Sequence, residues 1–134
     1  MKLLILAVGN KMPGWVSEAF AEYVKRMPRE ARIELLEIKP EKRAGGKTLD
    51  QIQESEMARI QAMLPAAAMH VMLDERGTEM STLELAGSMK SWLQEGRDVA
   101  FVIGGADGLH PVLRQRAGKL WSLSRLTLPH GMVR

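Results

Sequence analysis

Cysteine is absent from the 134 residues. That excludes a disulfide framework, a thiolate zinc site and a cysteine nucleophile, and it suits a reducing compartment. Aromatic residues are scarce, at 4%, so a platform of rings stacked on single-stranded RNA is disfavoured. Long apolar runs are missing too. The longest, Leu3 to Val8, falls far short of the roughly 20 residues a bilayer-spanning helix needs. No small-residue cleavage site follows it, so it reads as a core strand and the chain is expected to be cytoplasmic, with no membrane partner. Neither sign of charge dominates. Lys plus Arg is 19 and Asp plus Glu 16, and the resulting +3 permits a nucleic-acid partner without requiring one.

What is present is an ordinary globular balance, 46% hydrophobic and 26% charged. A chain of this length buries about two-thirds of its unfolded surface, enough for one core. One domain over residues 1–134 is expected, and the ten methionines read as core filler. Continuous apolar strands at Leu3–Val8, Ile33–Ile38, His70–Asp74 and Val99–Ile103 alternate with amphipathic stretches. The first helix is expected from Pro13 to Met27, with Val16, Ala19, Phe20, Tyr23, Val24 and Met27 on its buried face. Thr48 with Gln51, and Ser81 with Glu84, have the spacing of capping boxes opening the second and third helices. Leu49, Ile52, Ile60 and Met63 mark the second helix's buried side. Glu41 to Lys47 reads as a mobile polar loop, Glu75 to Thr78 as a turn and Gly96 as a helix stop. A short helix begins at Pro111, and Leu123 to Leu128 reads as a last strand or extended loop. This alternation argues for an α/β fold with a parallel sheet covered on both faces.

In such sheets ligands lie outside the carboxyl ends of the strands. After the first strand, Gly9-Asn10-Lys11-Met12-Pro13 has neither the dinucleotide glycine fingerprint nor the lysine-ending phosphate loop. Glycines cluster instead after the fourth strand, at Gly104, Gly105 and Gly108, where backbone can approach a ligand closely. Asp107 in that turn repels a phosphate and tolerates a cation. A plain tight turn into the Pro111 helix explains the same residues. The run Ser122-Leu123-Ser124-Arg125-Leu126-Thr127-Leu128 before Pro129-His130 either presents main-chain groups to a flat heterocycle or is simply an edge strand.

The histidines are too scattered for a metal-helix pair, and no Gly-x-Ser-x-Gly elbow occurs. His70 reads as structural and His110 as a cap, which leaves His130 as the functional candidate. Lys25, Arg26, Arg29 and Arg32, and the loop cations Lys42, Arg43 and Lys47, either meet RNA phosphates or form a solvated face interleaved with glutamates.

Taken together, Gly9-Asn10-Lys11-Met12-Pro13 with Trp15, Gly96-Arg97-Asp98-Val99, Ile103-Gly104-Gly105-Ala106-Asp107-Gly108, and Trp121-Ser122-Leu123-Ser124 through Leu128-Pro129-His130 resemble the bacterial ribosomal RNA large subunit methyltransferase H family. These are small members of the SPOUT methyltransferases, and the resemblance spans the chain. It implies a Rossmann-like α/β-knot fold and a homodimer that needs no metal. It also implies transfer of a methyl group from S-adenosylmethionine to N3 of a pseudouridine in 23S ribosomal RNA of the assembled ribosome. The implied cofactor positions are Leu73, Gly104, Leu123, Ser124, Arg125, Leu126, Thr127 and Leu128. No catalytic residue is assigned. His130 is either the base or a pocket residue. A sulfonium suits Asp107, and Gly104→Val is expected to block the cofactor while sparing the fold.

The family continues past the position of Arg134 with a further strand-to-helix segment and a basic tail. The sequence is therefore expected to be cut short of it, leaving the knot incomplete. The competing expectation is a ribosome- or RNA-binding module that keeps the fold without methyl transfer.

Overall fold

The computed structural model describes residues 1–43 and 45–134; Ala44, within the expected polar loop, lies outside the described residues. The elements run β1 (Lys2–Val8), α1 (Gly14–Val24), β2 (Arg32–Ile38), α2 (Leu49–Met63), β3 (Met69–Glu79), α3 (Thr82–Glu95), β4 (Val99–Ile103), α4 (Pro111–Gln115), β5 (Lys119–Ser122) and α5 (His130–Val133). The sheet order is β2-β1-β4-β3-β5, and every pairing is parallel. This is the expected α/β architecture.

Strand polarity explains the layers. In β1, Leu4, Leu6 and Val8 enter a core with Ile60, Leu109 and Leu113, under α2 and α4. Leu3 faces the other side, where Trp92 of α3 meets Val71, Val99 and Trp121. A strand apolar on both faces is stable only with a helix on each. On the α3 side, Trp92 stacks on Trp121 at 5.8 Å between ring centroids, and Phe101 meets both rings. Three of the six aromatics thus seat β5.

The helix ends match the expected chemistry. Thr48 and Ser81 form complete capping boxes, and Gly96 closes α3 with φ 65°. The helix faces match less well. On α1, Val16 is buried, whereas Tyr23 is 65% and Trp15 56% exposed, and Ala19 is exposed as well. On α2, Ile52 and Ile60 are buried but Leu49 and Met63 are exposed.

Two segments after residue 69 differ from the expectation. Strand β3 runs on to Glu79, because Leu73 and Thr78 both pair with Trp121 and residues 74–77 bulge out between them. The last strand is Lys119–Ser122, so of the two alternatives for Leu123 to Leu128 it is the loop that holds. Leu123 and Leu126 point to solvent. Ser122 Oγ donates to Ser124 O at 2.8 Å, and Leu126 N donates to Ser124 Oγ at 3.0 Å. Serine side chains turning the backbone locally outcompete the ladder that the alternating pattern suggests.

Candidate functional site

The carboxyl ends of β3, β4 and β5 open into one cavity of about 710 Å³. That is within the usual range for small-molecule sites, and it is where a parallel sheet places its ligands. Three pieces build the walls. Ile103 leads β4 into the glycine turn. Strand β3 contributes Leu73 and its bulge Asp74, and the segment after β5 contributes Leu123, Ser124, Leu126, Thr127 and Leu128. Of the positions singled out in the sequence, Arg125 alone is not among the lining residues. Its side chain lies outside, against Glu79 at 3.2 Å.

The glycine turn is built tightly. Gly108 N donates to Gly105 O at 3.0 Å, and Gly108 has φ 75°. A Cβ on Gly104 meets Gly108 C at 2.9 Å and Leu109 N at 3.1 Å, so the contact that demands glycine is with the turn's own backbone. Gly104→Val therefore disturbs the turn itself; it is not the simple plug anticipated above.

Polar struts hold the turn from three sides. Gln53 Nε2 donates to Asp107 O at 2.7 Å, and Arg43 pairs with the Asp107 carboxylate at 2.7 Å. Asp107 thus already has a cation. Glu56 lies within α2, 6% exposed, beside Gly105. It accepts from Glu41 N at 3.0 Å. Burial pushes its carboxyl above the usual range, the backbone bond from Glu41 works against this, and the nearby Asp107 charge adds to it. Glu41 is itself held down to about 2, chiefly by its bond with Lys47. Within the expected mobile loop, Glu41 thus pairs with Arg59 of α2 and Arg43 with Asp107.

His130 is the third strut. Arg134 Nε–H donates to Nε2 at 3.2 Å, which puts the ring proton on Nδ1, facing Gly104 O at 3.1 Å. Burial lowers its pKa and the Arg134 charge lowers it further, against the Gly104 bond. With both ring nitrogens engaged, His130 positions the turn and has no nitrogen free to take a substrate proton. Arg134 itself also bonds Gly9 O at 2.6 Å and Glu37 at 3.0 Å. The other histidines serve as expected: His70 meets Pro65 O at 2.8 Å, and His110 Nδ1 caps α4 through Val112 N at 3.1 Å.

Sequence reasoning missed Glu56, Gln53 and Arg114. Glu56 had a readable signal, because Ile52, Glu56 and Ile60 are four residues apart and share the buried stripe of α2. Among the cations, Lys25 and Arg26 pair with Glu22, and Lys47 with Glu41, so each is partly neutralised within the chain.

The whole chain, residues 1–134, matches the family described as predicted SPOUT methyltransferase. Proteins named ribosomal RNA large subunit methyltransferase H are similar throughout. The one from Burkholderia ambifaria is 59% identical over all of this chain and 86% of its own length. Those from Burkholderia lata and Burkholderia mallei are 58% and 59% identical with the same coverage. With a glycine turn and a leucine-bearing segment meeting at the carboxyl edge of a parallel sheet, and similarity running end to end, the chain belongs to the SPOUT methyltransferase family.

Proposed function

We propose that this chain methylates N3 of a pseudouridine in 23S ribosomal RNA of the assembled ribosome, acting in the cytoplasm as a homodimer of one-domain subunits. An S-adenosylmethionine-dependent methyltransferase acting on ribosomal RNA is what the family provides; the nucleotide and atom are the finer reading. The observation that carries it is the convergence of Gly104 with Leu123, Ser124, Leu126, Thr127 and Leu128 on one cavity, although the two pieces are separated in sequence. Leu73, Gly104 and Leu123 to Leu128 are proposed as the donor-binding positions, Arg125 through its backbone.

The residues present fit such a donor. The walls are apolar at Leu73, Ile103, Leu123, Leu126 and Leu128, while the glycine turn supplies main-chain polar groups. In addition, Arg114 Nε is a buried donor left without a partner among the described residues, on a side chain lining the cavity. S-adenosylmethionine, when bound, supplies an already activated methyl group on a sulfonium. The chain's part is then alignment and exclusion of water, the effects that dominate when the leaving group needs no help. His130, Gln53 and Arg43 hold the turn in place, and Leu73 and Ile103 line the cavity at the strand ends. The N3 proton must also leave, and no residue is assigned as its base.

The exposed rings of Trp15 and Tyr23 on α1, with Leu126 75% exposed, favour a second copy as the dimer partner. Incubation with ribosomes and methyl-labelled donor tests the whole reading. Label is expected at N3 of one pseudouridine, mapped by mass spectrometry, and sedimentation is expected to show a dimer. Ribosome binding without transfer would leave a non-enzymatic binding module in its place.

A further inference from the structure

Arg114 and Asp74 lie side by side on the cavity wall as a long ion pair that makes no hydrogen bond. Arg114 comes from α4 and Asp74 from the first residue of the β3 bulge, and both line the cavity. Their nearest charged atoms, Arg114 Nη1 and Asp74 Oδ2, are 3.8 Å apart, beyond hydrogen-bond length. Asp74 keeps its other oxygen, Oδ1, for Arg76 N at 2.8 Å. Arg114 Nε is fully buried with no acceptor among the described residues. A buried N–H left unpaired is costly, and an acceptor brought by a ligand beside the guanidinium relieves that cost.

The other charges around the cavity are differently placed. Asp107 is paired with Arg43, Glu75 Oε2 takes the Thr127 hydroxyl at 3.3 Å, and Arg76 is exposed. This leaves a guanidinium and a carboxylate oxygen that attract each other at 3.8 Å, yet neither has a hydrogen-bonded counter-ion among the described residues. The chemical group that satisfies both at once is a zwitterion, an α-amino acid end with carboxylate and ammonium on one carbon.

We infer that Arg114 and Asp74 form a subsite for the amino-acid end of the methyl donor, Arg114 taking the carboxylate through its guanidinium edge and Asp74 the ammonium. The inference rests on the cavity being the donor site. The subsite fixes which way round the donor lies, with the adenosine left for the glycine turn and the leucine segment. The fork of a guanidinium suits a carboxylate better than a lysine's point charge does.

Calorimetry on the full chain decides it, using S-adenosylmethionine and its decarboxylated form, which keeps the sulfonium and the amine. The native chain should bind the intact donor about ten- to a hundredfold more tightly. Arg114→Met should remove that preference by weakening the intact donor alone, Arg114→Lys should restore part of it, and Asp74→Asn should weaken both ligands. Equal affinity of the native chain for the two ligands overturns the inference without recourse to any variant. So does a loss in Arg114→Met that is equal for both ligands, or confined to ribosome binding as a phosphate contact would give. Binding of neither ligand by the folded native chain overturns the donor-site reading itself, and the subsite with it.

Discussion

Two titratable side chains beside the glycine turn have opposite pH behaviour. Glu56 has its pKa raised in the fold, so the native state holds its proton more tightly than the unfolded chain does. Its contribution is complete below the ordinary value of 4.5 and is lost as pH rises through the folded value. Glu56→Gln keeps an acceptor for Glu41 N and removes that loss. The variant should match or exceed the parent in thermal stability at pH 7, with the gap narrowing toward pH 4 in a melting series. His130 behaves in reverse, since its folded pKa lies below the ordinary 6.5. Its contribution is complete above 6.5 and is lost as pH falls through the folded value, when Nε2 gains a proton and can no longer accept from Arg134. His130→Gln should flatten the stability profile on the acid side of pH 6.5; an unchanged slope there would assign the effect to other groups. Glu56 was legible as an acidic residue on an apolar stripe. The partnership of His130 with Arg134 was not, because hydrogen-bond partners among folded neighbours leave no periodic trace.

The helices were legible where their ends carry explicit chemistry. Thr48–Gln51 and Ser81–Glu84 marked true starts, and Ser81→Ala should cost about 1 kcal/mol by chemical denaturation. The β3 bulge and the shift of β5 were not legible. A strand that pairs twice with one neighbour residue has no local pattern, and Ser-Leu-Ser alternation imitates a ladder that local side-chain bonds replace. The bulge depends on Gly77, where a Cβ would sit 2.6 Å from Leu120 O and from Trp121 C. Backbone cannot yield as a side-chain tip can. Gly77→Ala should therefore separate β3 from β5, cost about 2 kcal/mol or more, and weaken donor binding measured at a temperature where the variant stays folded. Wild-type stability would mean that the bulge reshapes itself at little cost.

Across the whole molecule, the cavity draws on the ends of three strands that adjoin in space, and Trp92 ties two of them through Phe101 and Trp121. Trp92→Ala should cost about 3–5 kcal/mol and release β5, so donor affinity should fall with stability, although the indole lines no part of the cavity. The parallel α/β layout was readable from alternating strands and helices, whereas the strand order was not. Sequence patterns record which face of a strand is apolar and are silent on its lateral neighbour. That order matters while the polypeptide is being made. β1 can align with β2 early, yet its other edge waits for β4, about a hundred residues later. During translation the nascent chain therefore carries a greasy, half-zipped ribbon until β4 has emerged, which is the interval in which a chaperone would find it.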